Sequence, residues 1–175
     1  MSEARPARCV ACRVASRPVG GGLAIHGHGV RQRQLRGPPE PGRRSTIIVV
    51  NVRRYECLKC GAVMTVVPSA VLPRHHYAAT AIGLALALYG ICGLVAREVR
   101  EAVGAWPVIG ASSTGWKSLR RWTATASTLW PCIRAAPDSW QPRQRAERAA
   151  TTLVGHAPFS QPPEHAAFIG AAHAR

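Results

Sequence analysis

Two cysteine pairs of the same spacing, Cys9-x-x-Cys12 and Cys57-x-x-Cys60, constrain this chain more than any other feature. A C-x-x-C turn brings two thiolates to one side of the backbone, at a separation suited to a tetrahedral metal. Two such turns supply four sulfurs and a closed structural site. The spacing therefore predicts Zn2+ held by Cys9, Cys12, Cys57 and Cys60. Forty-five positions separate Cys12 from Cys57. That interval suits a zinc ribbon, with its knuckles joined by a β-hairpin rather than a short helix. A redox-active C-x-x-C sits at a helix N-terminus within a βαβ pattern, and neither pair has that setting. Four thiolates leave no coordination position open for water, so the site implies no hydrolysis. A ribbon this small also draws much of its folding free energy from the metal.

Charge narrows the partner. The 175 residues carry 23 Lys and Arg against 8 Asp and Glu, a formal net charge of +15. This balance points to polyanions, nucleic acid before an acidic membrane surface. GC-rich codon usage accounts for Arg in place of Lys, but not for the scarcity of acids. Met1-Ser2-Glu3-Ala4-Arg5-Pro6 has no apolar core of a secretory signal. The expected compartment is a reducing cytoplasm, where C-x-x-C means metal more often than disulfide. Cys92 and Cys132 stand alone in apolar surroundings and read as buried small hydrophobes.

The chain divides by composition into an α+β protein. Residues 1–75 read as the ribbon, with a turn at Gly20-Gly21-Gly22, an extended segment from His26 to Arg36 and a loop at Gly37–Gly42. The β-branched run within Thr46–Tyr55 predicts the clearest strand, and Ala62–Val67 a further one. Residues 76–133 read as a helical bundle. The apolar run 78–96 has the length of a membrane span, but Gly83, Gly90 and Gly93 interrupt it and its continuation is amphipathic. Two soluble helices, about 76–89 and 94–103, account for it better. Val95, Val99, Ala102 and Val103 form the inner stripe of the second, with Arg97, Glu98, Arg100 and Glu101 outward. A third helix, capped near Ser112–Thr114, carries Trp116, Leu119, Trp122, Ala126 and Leu129 on one face and ends before Pro131. Residues 134–155 read as a short basic helix with Arg143, Arg145 and Arg148. Residues 156–175, with Pro158, Pro162 and Pro163, read as a weakly ordered tail.

Two arrangements point to duplex DNA. Residues 88–122 have the outline of a helix-turn-helix, with a first helix at residues 94–103 and a second from about Ser113 that enters the major groove. That assigns Ser112, Ser113, Thr114, Lys117, Ser118, Arg120 and Arg121 to base or phosphate contacts. The connector 105–111 is longer than the usual tight turn. In the ribbon, Arg31, Arg33, Arg36, Arg43, Arg44, Arg53 and Arg54 form a cluster with few acids to balance it, as a phosphate-facing surface requires. His26, His28, His75 and His76 are surface or phosphate-contacting residues rather than ligands, because four sulfurs already complete a tetrahedron. No Ser/His/Asp set or carboxylate pair suggests an enzyme. Gly20-Gly21-Gly22 lacks the following Lys-Ser/Thr of a phosphate cradle.

Cys9-x-x-Cys12, His26-Gly27-His28, Arg36-Gly37-Pro38, Arg53-Arg54-Tyr55-Glu56-Cys57-x-x-Cys60-Gly61 and Arg121-Trp122 together resemble the N-terminal region of insertion-sequence transposases. They are also similar to stand-alone bacterial proteins of unknown function with the same ribbon. The resemblance spans about residues 8–130. It implies a zinc ribbon followed by a DNA-binding helix-turn-helix. A transposase also needs a catalytic domain whose carboxylates hold two metal ions. Here Asp138 is the single aspartate, and too little chain follows residue 130 to build such a domain. The expectation is a recognition module without its nuclease: a transposon-derived regulator or accessory factor. Double-stranded DNA is its partner, with a protein partner or a homodimer as a further option and no small-molecule substrate. The alternative is a protein-interaction ribbon within a larger nucleic-acid-processing assembly.

Overall fold

The β-branched residues of the middle segment do form a strand, and the apolar run after it forms a helix. The computed structural model describes residues 5–106 and 116–174. Among them are three strands, β1 (Ile25–Gly37), β2 (Thr46–Cys57) and β3 (Val63–Val66). Five helices follow: α1 (Ala79–Gly90), α2 (Ala96–Val103), α3 (Lys117–Leu129), α4 (Pro142–Val154) and α5 (Pro163–His173). The sheet has the order β1-β2-β3. The fold is α+β, as expected. The chain separates into two compact units: Met1–Gln34 with Val49–Pro68, and Leu35–Ile48 with Ser69–Arg175. This differs from the expected boundary at residue 75, because the tip of the β1–β2 hairpin counts with the helices.

In the first unit β2 and β3 run antiparallel, with Arg53 opposite Val66 and Glu56 opposite Val63. The turn between them is the Cys57–Cys60 knuckle. The first knuckle closes a smaller loop, pinned by an antiparallel bridge between Arg8 and Ala15. Ile25, Tyr55 and Met64 are buried beside Cys9 and Cys57.

The second unit is built around α1. This helix is apolar on nearly every side, as a helix buried all round must be, and Ala79 through Ala87 include eight buried positions. It packs most heavily on α5 and α4, and also on α2 and α3. On α2 the stripe is narrower than expected. Val99 and Val103 are fully buried, whereas Val95 and Ala102 are exposed. The Glu98 carboxylate accepts the Val95 N–H (2.9 Å), closing the start of α2. On α3, Leu119, Trp122 and Ala126 are buried. Trp116 and Trp122 stack edge-to-face with each other and with Tyr77, at centroid distances of 4.9–5.8 Å. Trp130, fully buried just past the helix, donates its indole N–H to Ala171 O (2.8 Å).

Two expectations are corrected here. Residues 156–175 hold α5, whose Ala166, Ala167, Phe168, Gly170 and Ala171 are buried. Pro163 is its first residue, where the missing N–H costs nothing and the fixed φ favours a helix start. The short basic helix expected within 134–155 is α4 (Pro142–Val154), and two of its arginines bond to backbone carbonyls. Arg143 donates to Tyr89 O (2.8 Å) and Leu94 O (3.1 Å), and lies 4.5 Å over the Tyr89 ring. It thereby satisfies a carbonyl left open at the end of α1. Arg145 donates to the carbonyls of Pro137, Asp138 and Trp140. Finally, Cys92 and Cys132 are exposed, not buried. They lie in turns beyond helix ends, where apolar neighbours in sequence do not close over them. No described helix is long and apolar enough to cross a membrane.

Candidate functional site

The two knuckles are built alike. In the first, Cys9 N–H donates to Val14 O (2.9 Å) and Arg13 N–H to Cys9 O (3.1 Å). In the second, Cys57 N–H donates to Ala62 O (3.0 Å) and Gly61 N–H to Cys57 O (2.8 Å). The residue after each second cysteine is left-handed: Arg13 at φ 61° and Gly61 at φ 71°. Glycine adopts this conformation freely, while Arg13 bears a cost of about 1 kcal/mol for it. The turn aims backbone N–H groups at the sulfurs, those of Cys12 and Ala11 at Cys9 and that of Ala62 at Cys60.

All four sulfurs lie within 4.8 Å of one another. Two pairs cross between knuckles: Cys9 Sγ to Cys60 Sγ and Cys12 Sγ to Cys57 Sγ, both 3.7 Å. A tetrahedron with metal–sulfur bonds of about 2.3 Å has an edge of about 3.8 Å, whereas a disulfide is about 2.05 Å long. The cysteines are free thiols, and their spacing is that of ligands to one tetrahedral ion.

Protonation favours the same reading. The Cys12 N–H, with further help from Ala11, lowers Cys9 to about 6 against the effect of burial. At Cys60 the Ala62 N–H also lowers the pKa. Hydrogen bonding with Cys12, burial, and hydrogen bonding with Cys57 and Cys9 outweigh it and push Cys60 up to about 12. Four thiolates this close cannot coexist without a cation. A bound ion must displace the Cys60 proton at neutral pH, so affinity rises with pH. Adding one equivalent of Zn2+ to metal-free protein at pH 7 is expected to release protons, measured with an indicator in weak buffer. Binding without proton release would show that the thiols are not the ligands.

The predicted nucleic-acid contacts are only partly gathered. In the first unit Arg31 and Arg53 are exposed on neighbouring strands, while Arg33 and Arg54 are half-buried. Arg36 belongs to the second unit. Its backbone bonds to His76 O (2.7 Å) and to the Ala78 N–H (2.9 Å). Its charge, with that of Arg100, acts on Tyr77, whose hydroxyl is nonetheless pushed up in pKa by burial. On α3, Lys117, Arg120 and Arg121 are exposed and Ser118 is half-buried. Ser112, Ser113 and Thr114 lie outside the described residues. α2 and α3 each pack on α1, and they are not among the main packing pairs. His28 Nδ1 pairs with Glu56 at 3.0 Å, and His26 Nε2 contacts Leu23 O at 2.7 Å. Neither joins the sulfur cluster. Arg134, which no sequence motif marks, lines a small cleft with Arg145 and Arg148. No periodic signal joins a loop arginine to two helical ones, so only the fold reveals this grouping.

Fold and site together define an α+β protein with a ribbon-type four-cysteine cluster and a helical unit. A family described as a domain of unknown function, DUF6431, matches residues 18–104. The matched segment runs from the loop before β1 through α2 and includes Cys57 and Cys60, but begins after the first knuckle. No curated protein and no solved structure matches the chain.

Proposed function

We propose that this protein is a zinc-stabilised DNA-binding module without catalytic activity of its own, a regulator or accessory factor of transposon origin. The observation that carries the reading is the sulfur cluster at tetrahedral spacing in a chain of net charge +15. Zinc is the metal that suits four thiolates in a closed tetrahedron. Exposed Arg31 and Arg53 on the sheet offer phosphate contacts, as do Lys117, Arg120 and Arg121 on α3. The choice of duplex DNA, and of a transposon lineage, rests on the resemblance to transposase N-terminal regions. The helix-turn-helix use of α2 and α3 rests on the exposed basic residues of α3 alone, so the ribbon bears more of the weight.

Five phosphate contacts predict a log–log salt slope near roughly −4.5, a loss of several hundred-fold between about 50 and 200 mM salt. The Arg31→Ala/Arg53→Ala pair is expected to flatten the slope by about 2. Fluorescence anisotropy on a labelled duplex measures both. Salt-insensitive binding, or none, would remove the proposal.

Exposed apolar side chains at both knuckle tips favour a second reading. Val10 is 71% exposed and Leu58 61% exposed. They suit a ribbon that docks on a protein within a larger nucleic-acid machine. In that case the purified protein alone leaves duplex DNA unshifted.

A further inference from the structure

We infer that the cleft between α3, the segment after it and α4 is a binding site for a phosphate group. Three arginines line it, Arg134, Arg145 and Arg148, together with Ser127 and Thr123 of α3. They come from three stretches of chain that nothing but the fold brings together. The cleft has a volume of about 170 Å³. That is below the roughly 300 Å³ at which drug-sized ligands begin to fit. It accommodates a tetrahedral oxyanion and a few waters, each taking about 30 Å³.

Arg145 is already fixed in place. Its Nε donates to Trp140 O (2.9 Å), and its Nη2 to Asp138 O (2.7 Å) and Pro137 O (3.2 Å). Carbonyls orient a guanidinium without neutralising it, so the charge stays available and little side-chain entropy remains to be lost on binding. Arg148, one turn along α4, lies 5.4 Å over the Trp140 ring, which restrains it in the same way. The acid nearby is Asp138. Its carboxylate stands 3.9 Å from Arg145 Nη2 with its side chain fully in solvent, where such a pair is weak. Three guanidiniums against one carboxylate leave a local charge of about +2, matching the −1.5 to −2 of a phosphate monoester. The guanidinium forks of Arg134 and Arg148 suit phosphate oxygens geometrically, and Arg145, whose Nε and Nη2 are held by carbonyls, supplies charge. Another cleft of the helical unit, about 720 Å³, mixes Arg43 and Arg44 with Glu101 and Glu164 over leucines and shows no such selectivity.

The test is an NMR titration of the metal-loaded full chain with inorganic phosphate at constant ionic strength. A dissociation constant in the millimolar range is expected, with shifts at residues 123–148 and at the arginine Nε–H signals. Ser127→Asp places an acid in the cleft, and Arg134→Gln removes an exposed charge. Each is expected to weaken phosphate binding at least tenfold with helix content unchanged by circular dichroism. Shifts confined to other residues, or full affinity in both variants, would overturn the site. A second arm repeats the comparison with a short duplex at matched salt. If Ser127→Asp also weakens the duplex, the phosphate belongs to a nucleic-acid backbone. If duplex binding is unchanged or absent while inorganic phosphate still binds, the site takes a small phosphorylated ligand. The inorganic phosphate arm stands whether or not the protein binds DNA.

Discussion

Stripping the metal with a strong chelator is expected to unfold the first unit and leave the second folded. The buried cluster of the first unit is Cys9, Ile25, Tyr55, Cys57 and Met64, and two of those five are the proposed ligands. So few apolar side chains do not order a segment of this size, and chains this small rely on metals or disulfides. A structural zinc supplies about 10–16 kcal/mol in comparable peptides, as much as the whole stability of an ordinary domain. The helical unit has its own core around α1 and no part in the sulfur cluster. Hydrogen exchange resolves the two. Protection is expected to vanish over β2 and β3 on chelation and to persist in α1, α4 and α5. Cys57→Ser should reproduce the loss, and Cys92→Ser, at an exposed thiol outside the cluster, should not. Freshly isolated protein that holds no metal yet keeps its strands protected would refute the arrangement.

Gly170→Val is expected to detach α5 and cost the second unit about 3 kcal/mol or more. A Cβ at Gly170 would run into the Leu153 carbonyl group and lie 3.3 Å from Ala157 N. These are backbone atoms at the end of α4, so no side-chain rotation makes room. The bond from Trp130 to Ala171 O would be strained by the same displacement. Urea denaturation followed by helical circular dichroism should show the midpoint falling by about 1–2 M for a typical slope. Gly22→Ala is the control, since a Cβ there meets nothing within 4 Å, and it should stay within about 0.5 kcal/mol of the parent. An unchanged midpoint in Gly170→Val would mean that α5 is not packed as described.

The contrast between these two experiments follows what was legible beforehand. The knuckles are local turns set by a three-residue spacing, so their cysteines could be paired directly. β2 announced itself through its β-branched run, and α2 through its charged outer face. The last helix carried no such mark. Its residues are Ala- and Gly-rich, so they show little hydrophobic contrast, and the prolines before it resembled a disordered tail. Pro163 was in fact a helix start, and Gly83 and Gly170 were contact points. A Cβ at Gly83 would stand 2.6 Å from Ala167 O, a proximity that no composition displays. The roles of Arg143 and Arg145 were not visible in the sequence either. A charged side chain usually means solvent, but a guanidinium carries five donors, and open carbonyls at the ends of nearby segments drew these two inward.

From sequence alone came the four clustered cysteines, the strand-rich first half, the helical second half and the strongly cationic character, because each depends on neighbours a few residues apart or on composition. Tertiary structure alone decided that the sulfurs come within 4.8 Å of one another although Cys12 and Cys57 stand 45 positions apart, that α5 completes the helical core, and that three arginines share one cleft. Those outcomes depend on which surfaces pack together, and packing is determined by shape and by backbone approach between segments far apart in the chain.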